Sequence, residues 1–132
     1  MKVLICTLLL VLFVNGCFAC SVSIYKIKAK TIYGKVIDEY QNTIPNAAVQ
    51  IYKNREGVEE ILAETKADEN GIFEIAGFKT GRYMIRANAE NFTYSYAALK
   101  LNNSSNKVKN EGIIFALVPY GKCSGTVEMK KI

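Results

Sequence analysis

The fold is decided between Thr31 and Leu101, where TIYGKVIDEYQNTIPNAAVQIYKN (31–54), AETKADENGIFEIAGFKTGRYMIRANAENF (63–92) and YSYAALKL (94–101) follow one another. Apolar residues alternate with polar ones in short runs: Ile32, Gly34 and Val36; Val49 and Ile51; Phe73 and Ile75; Tyr83, Ile85 and Ala87. A period of two places each set on one face of an extended strand. Turn signals stand between the runs at Asn42 and Pro45, at Gly57, at Asp68-Glu69-Asn70-Gly71 and at Lys79-Thr80-Gly81. Asn42 is expected to take positive φ, and Asn70-Gly71 to close a tight hairpin. Alternating runs separated by turns roughly every 8–12 residues specify a small all-β sandwich, one face of each sheet buried and the other wet.

Working outward, seven strands are expected: Thr31–Asp38, Ala47–Lys53, Glu60–Ala67, Ile72–Ala76, Arg82–Asn88, Tyr94–Leu101 and Gly112–Val118. The last carries Ile113, Phe115 and Leu117 toward the core. Before the first strand comes a polar-to-basic extended lead-in (20–30), and after the last a tail (119–132). The sandwich domain is thus expected over 31–118, preceded by a signal peptide over 1–19. Met1-Lys2 supplies a basic start, and Val3 to Val14 is apolar apart from Thr7. That run falls short of the ~20 apolar residues a membrane-spanning helix needs and suits the apolar region of an export signal.

The end of the leader reads in two ways. Cys17-Phe18-Ala19 offers small residues for ordinary cleavage before Cys20, whereas Val14-Asn15-Gly16-Cys17 resembles a bacterial lipoprotein box with lipid on Cys17. Either route leaves Cys20 and Cys123 as an even pair, which in an exported chain argues for a disulfide between them. A free thiol or a partner disulfide is the alternative. The formal net charge is +5, and Lys26, Lys28 and Lys30 alternate so that on an extended segment they share one face. Such a face either meets an anionic surface, acidic glycan or lipid headgroups, or is a charged edge strand that blocks edge-to-edge pairing. Nucleic acid is not expected as a partner, given export and the modest charge.

At this point the residues resemble the carboxypeptidase regulatory-like domain family. Its pattern is met here by Gly34, Val36 and Asp38, then Pro45, Ala48 and Val49, then Thr65, Asp68, Gly71 and Phe73, then Gly81 and Tyr83. The resemblance implies a transthyretin-like, Greek-key β-sandwich that commonly serves as an accessory module, and it says little about ligand. Asn42 and Asn91 stand where the family often has glycine. A looser similarity to isopeptide-forming surface domains fails at the acid their chemistry needs, where this chain has Ala87.

The chain has no histidine. That removes Ser–His and Cys–His nucleophile pairs, and with them the histidine-dependent chemistry of the transthyretin-like hydrolases of urate breakdown. The usual zinc ligand sets are missing too, so no metal and no cofactor is expected. Asp68-Glu69-Asn70-Gly71 has too few regularly spaced oxygen ligands for a calcium loop and reads as a turn. Exposed aromatics remain: Tyr94 and Tyr96 alternate on one strand beside Phe92, either as a platform for sugar or protein or as core. The expectation is a non-catalytic, exported module that binds protein or carbohydrate at the cell surface or outside the cell, with a structural envelope lipoprotein anchored through Cys17 as the alternative.

Overall fold

Residues 22–104, 111–121 and 125–132 are described by a computed structural model. The inward sets named above do build the core. Ile32, Gly34 and Val36 point inward from β2 (Thr31–Asp38), Val49 and Ile51 from β3 (Ala48–Arg55), and Phe73 and Ile75 from β5 (Ile72–Ala76). Tyr83, Ile85 and Ala87 do so from β6 (Gly81–Asn88), and Ile113, Phe115 and Leu117 from β9 (Ile113–Pro119).

Two sheets face each other across these side chains. The first has the order β1-β8-β6-β3-β4, where β1 is Ile24–Lys28, β4 is Val58–Lys66 and β8 is Ser95–Asn102. The second has the order β10-β9-β2-β5, where β10 is Thr126–Met129, and a short β7 (Phe92–Thr93) pairs with β9. Phe73 and Phe115 meet at a centroid distance of 5.9 Å in the second sheet's inner layer. Among the described residues Ser95 is the buried polar one, and its hydroxyl donates to the Thr126 carbonyl at 3.3 Å. Tyr25 donates its hydroxyl to the Val127 carbonyl, tying β1 to β10 across the same margin of the sandwich.

The described residues hold ten strands rather than the expected seven. The additions are β1 in the lead-in, β10 in the tail and the two-residue β7. Each has one strand partner: β1 runs parallel to β8, β10 antiparallel to β9, and β7 antiparallel to β9. Short margin strands of this kind are made by pairing, so local pattern signals them weakly.

Three turns also differ from expectation. Strand β3 runs on to Arg55 and β4 starts at Val58, so the polar connection shrinks to Glu56 and Gly57, both at positive φ (52° and 81°). That is the two-residue hairpin turn whose twist suits antiparallel strands. Asp68–Gly71 is a tight turn, but it passes the chain between sheets: β4 belongs to the first and β5 to the second. The Asp68 carboxylate accepts the Asn70 and Ile72 amides at 2.8 and 2.9 Å, and Gly71 takes a φ of 75°. In the first turn Gln41, not Asn42, holds positive φ (68°). Asn42 is used otherwise, its backbone and side-chain amides both donating to Asp38. Burial pushes the Asp38 carboxyl up, but the hydrogen bonds from Asn42 and from the Tyr40 amide outweigh it and hold the group below its ordinary value. Asn91 does take positive φ, at 69°.

Gly34 is a tight point of the core. A Cβ at this position would lie 2.5 Å from the Phe73 ring and closer still to the Ile113 carbonyl, which is backbone and cannot turn aside. Overpacking of this kind costs about 1–3 kcal/mol. Gly34→Ala should therefore lower the thermal midpoint by several degrees, at roughly 4–8 °C per kcal/mol for a domain of this size. Calorimetry or circular dichroism melting checks it; an unchanged midpoint would place the strands of the second sheet further apart than described.

Candidate functional site

The inward demand of β6 and β8 leaves the intervening residues no choice but to face solvent. Arg82, Met84 and Arg86 on β6, and Tyr96, Ala98 and Lys100 on β8, therefore share the outer face of the first sheet. Pairing puts them in rows: Arg82 opposite Lys100, Met84 opposite Ala98, Arg86 opposite Tyr96. The parallel strand β1 extends the rows, setting Ile24 beside Ala98 and Lys26 beside Lys100. On the other side β3 brings Tyr52 beside Met84 and Gln50 beside Arg86.

One end of this face is aromatic. Tyr94 is 48% exposed, and its ring lies 6.3 Å from that of half-buried Tyr96. The Arg86 guanidinium lies 4.5 Å from the centroid of Tyr52 and 5.9 Å from that of Tyr94. It is fixed there by Gln50, which accepts from Nε at 2.7 Å, and by Glu59, which accepts from a terminal nitrogen at 2.8 Å. Gln50 in turn donates to Glu64 at 2.6 Å. A cation over aromatic faces is worth about 0.5–1 kcal/mol at exposed sites and more where water is excluded. Arg86 thus holds Tyr52 down and props the tyrosine pair beside it.

Tyr52 is 5% exposed although it points away from the core, because this network covers it. Burial pushes its phenol above the ordinary value; the Arg86 charge opposes that, and Glu59, Tyr94 and Tyr96 add to it.

The other end is cationic. Lys26, Lys100 and Arg82 form one cross-strand row over β1, β8 and β6. Among the described residues the ion pairs join Arg55 to Glu60 and Arg86 to Glu59, and none involves this row. Like charges directly opposite on paired strands destabilise a sheet by roughly 0.2–1 kcal/mol per pair. Lys53, which follows outward Tyr52 on β3, is not part of this row: its ammonium lies 4.7 Å from the ring of inward-facing Tyr83. Beside the Lys26–Lys100–Arg82 row lies an open depression of about 520 Å³, with Ile24, Ala98 and Met84 in its lining.

The expected site residues are therefore distributed as follows. Tyr94, Tyr96, Lys26 and Lys28 all belong to the first sheet or its margin, with the aromatics at one end and the lysines at the other. Lys26 and Lys28 are exposed on an edge strand, while Lys30 follows the strand in a bend and leaves the row. Phe92 does not join the tyrosines: it is half-buried on β7, against the core and beside β9. Cys17, Cys20 and Cys123 lie outside the described residues. Arg86, Tyr52, Gln50 and Glu59 were missed as parts of the aromatic end, and Arg82 and Lys100 as parts of the cationic end. Alternation on β6 signalled the outward arginines, but only cross-strand register shows what they meet.

Among the described residues no group of three or more Asp, Glu or Cys is placed to hold a metal ion, and no helix is long and apolar enough to cross a membrane. The two-sheet architecture and the motif residues of β2 to β6 define a transthyretin-like sandwich. Residues 31–110 match the family model described as carboxypeptidase regulatory-like domain, and the chain belongs to that family. No curated protein matches it in sequence. Among solved structures it is similar to 5-hydroxyisourate hydrolase of Klebsiella pneumoniae, at 17% identity and a TM-score of 0.53, covering 80% of this chain and 96% of that one. It is also matched to a variant of catechol 1,2-dioxygenase from Acinetobacter radioresistens, at 11% identity over 84% of this chain and 62% of that one, with a TM-score of 0.40. The first likeness speaks to fold alone, and the second is too slight to bear on it.

Two measurements check this geometry. Replacing the middle cation, Lys100→Glu, turns two repulsive cross-strand pairs into attractive ones and should raise stability by about 0.2–1 kcal/mol for each pair; denaturant unfolding reads it, and a loss of stability would contradict the row. Glu59→Gln removes a negative charge that raises the Tyr52 phenol, so Tyr52 should titrate at lower pH than in the parent protein. Carbon-13 tyrosine NMR against pH follows that group, and an unmoved titration would separate Glu59 from the Arg86–Tyr52 stack.

Proposed function

We propose that this chain is an exported, non-catalytic binding module that engages protein or carbohydrate through the outer face of its first sheet, at the cell surface or outside the cell. The observation that carries the reading is the Tyr94–Tyr96 pair, with Tyr94 open to solvent yet beside the fixed Arg86 guanidinium. Rigid aromatic rings offer large contact area at small entropic cost and stack on sugar rings or partner side chains. Arg86 is itself fixed by Gln50 and Glu59, so little ordering remains to be done on binding. The lack of histidine supports binding over hydrolysis, since the acyl-transfer nucleophile pairs considered above need that residue. Export rests on the leader at 1–19.

A second reading, a structural envelope lipoprotein, rests on Val14-Asn15-Gly16-Cys17. It changes where the module sits, and it assigns the aromatic end no ligand.

The test is a glycan array, together with interaction profiling against extracellular proteins, of the mature protein and of Tyr94→Ala. The expected result is a defined ligand whose affinity falls at least tenfold in the variant while the melting midpoint stays within about 2 °C, as for a surface substitution. A ligand insensitive to Tyr94→Ala and Tyr96→Ala, or a large stability loss in Tyr94→Ala, would count against the platform. Intact mass of the exported protein with and without reductant distinguishes the two locations: a chain beginning at Cys20 that gains two hydrogens on reduction is secreted and clamped, and an acylated chain beginning at Cys17 is anchored.

A further inference from the structure

The cationic end of the outer face is separated from the tyrosines by four residues along β8, roughly 13 Å of strand. It has features the aromatic end lacks. Lys26, Lys100 and Arg82 stand in one row with no carboxylate in ion-pair contact among the described residues. Sheets ordinarily place opposite charges across neighbouring strands, so a row of one sign is an arrangement that an anion would relieve.

The adjacent row is apolar. Ile24, which is 73% exposed, stands on β1, and Met84 stands on β6, with small Ala98 between them. The low side chain between two taller ones makes the hollow of about 520 Å³, a volume in the range of small-molecule sites. Neighbouring rows on one face of a strand are two residues apart, about 7 Å. A ligand seated here therefore meets positive charge at one end and hydrocarbon directly beside it.

We infer that this depression binds an anionic amphiphile, a molecule with one acid group to lie on the Lys26–Lys100–Arg82 row and an apolar body to cover Ala98 between Ile24 and Met84. A simple polyanion would use the cations and leave the apolar row wet, and a neutral apolar ligand would leave the cations unrelieved. The inference does not depend on the tyrosine platform: the two sites have different residues and different probes, so either can fail alone.

The test is titration of the nitrogen-15-labelled mature protein with sodium decanoate below its micelle concentration, with sodium acetate and octyl glucoside as controls for acid alone and apolar body alone. Saturable shifts at the Ala98, Met84 and Lys100 amides with decanoate, and much weaker binding of both controls, are expected. Lys100→Glu should weaken decanoate at least tenfold while leaving the fold intact, because it relieves repulsion in the free protein. Ala98→Leu should fill the hollow and weaken decanoate with little effect on acetate. Acetate binding as tightly as decanoate, octyl glucoside binding as tightly, or decanoate binding unchanged in Lys100→Glu would each overturn the inference. So would adsorption to phosphatidylglycerol vesicles without any saturable decanoate site, which would show surface charge attraction only.

Discussion

Val49, Ile51, Ile85, Leu99 and Leu101 of one sheet, and Ile32, Val36, Phe73, Phe115 and Leu117 of the other, must be buried together for this chain to fold. That requirement sets the face of every residue between them, because a one-residue slip would exchange core and surface along a whole strand. The outer face of the first sheet is therefore a by-product of its inner face. Arg82, Met84 and Arg86 are outward because Tyr83, Ile85 and Ala87 are inward; Tyr96, Ala98 and Lys100 are outward because Ala97, Leu99 and Leu101 are inward. Register then decides which outward residues become neighbours, and the two ends of the face acquire different chemistry from that alone.

The margins show how much stability is lent by groups outside the alternating core. Ser95 is buried and its hydroxyl meets a β10 carbonyl, and half-buried Tyr25 reaches another β10 carbonyl from β1. A buried hydroxyl left without a partner is costly, so these bonds commit β1, β8 and β10 to one relative arrangement. The β1 strand owes its place to them and to Ile27, which is fully buried. With β1 in place the first sheet gains Lys26 and Ile24, without which the cationic row and the apolar row would each end at β8.

Much of this was legible beforehand. Strands β2, β3, β5 and β6 announce themselves because each carries alternation of its own, and the motif residues from Gly34 to Tyr83 carry the family resemblance as well. The weak points share a cause. Strands β1, β7 and β10 form by pairing with distant segments, and nothing local in two to five residues reports a partner. The Asp68–Gly71 turn has hairpin residues, yet whether the strands it joins share a sheet depends on β5 preferring β2. At the site, Tyr94 and Tyr96 could be singled out as aromatics, while their dependence on Arg86, and of Arg86 on Gln50 and Glu59, is a matter of side chains brought together from four strands and the segment between two of them. Phe92 was separable from the tyrosines only once β7 was seen to turn toward β9.

The outer surface depends on β1 lying parallel to β8 in the register that sets Ile24 beside Ala98 and Lys26 beside Lys100. Backbone nuclear Overhauser effects in the labelled protein test this directly. Inter-strand contacts between the amide and α protons of residues 24–28 and 98–102, in the parallel pattern, are the predicted result. Their absence, or a set of contacts shifted by one residue, would move Lys26 off the row and Ile24 off the hollow, and would contradict the surface described here.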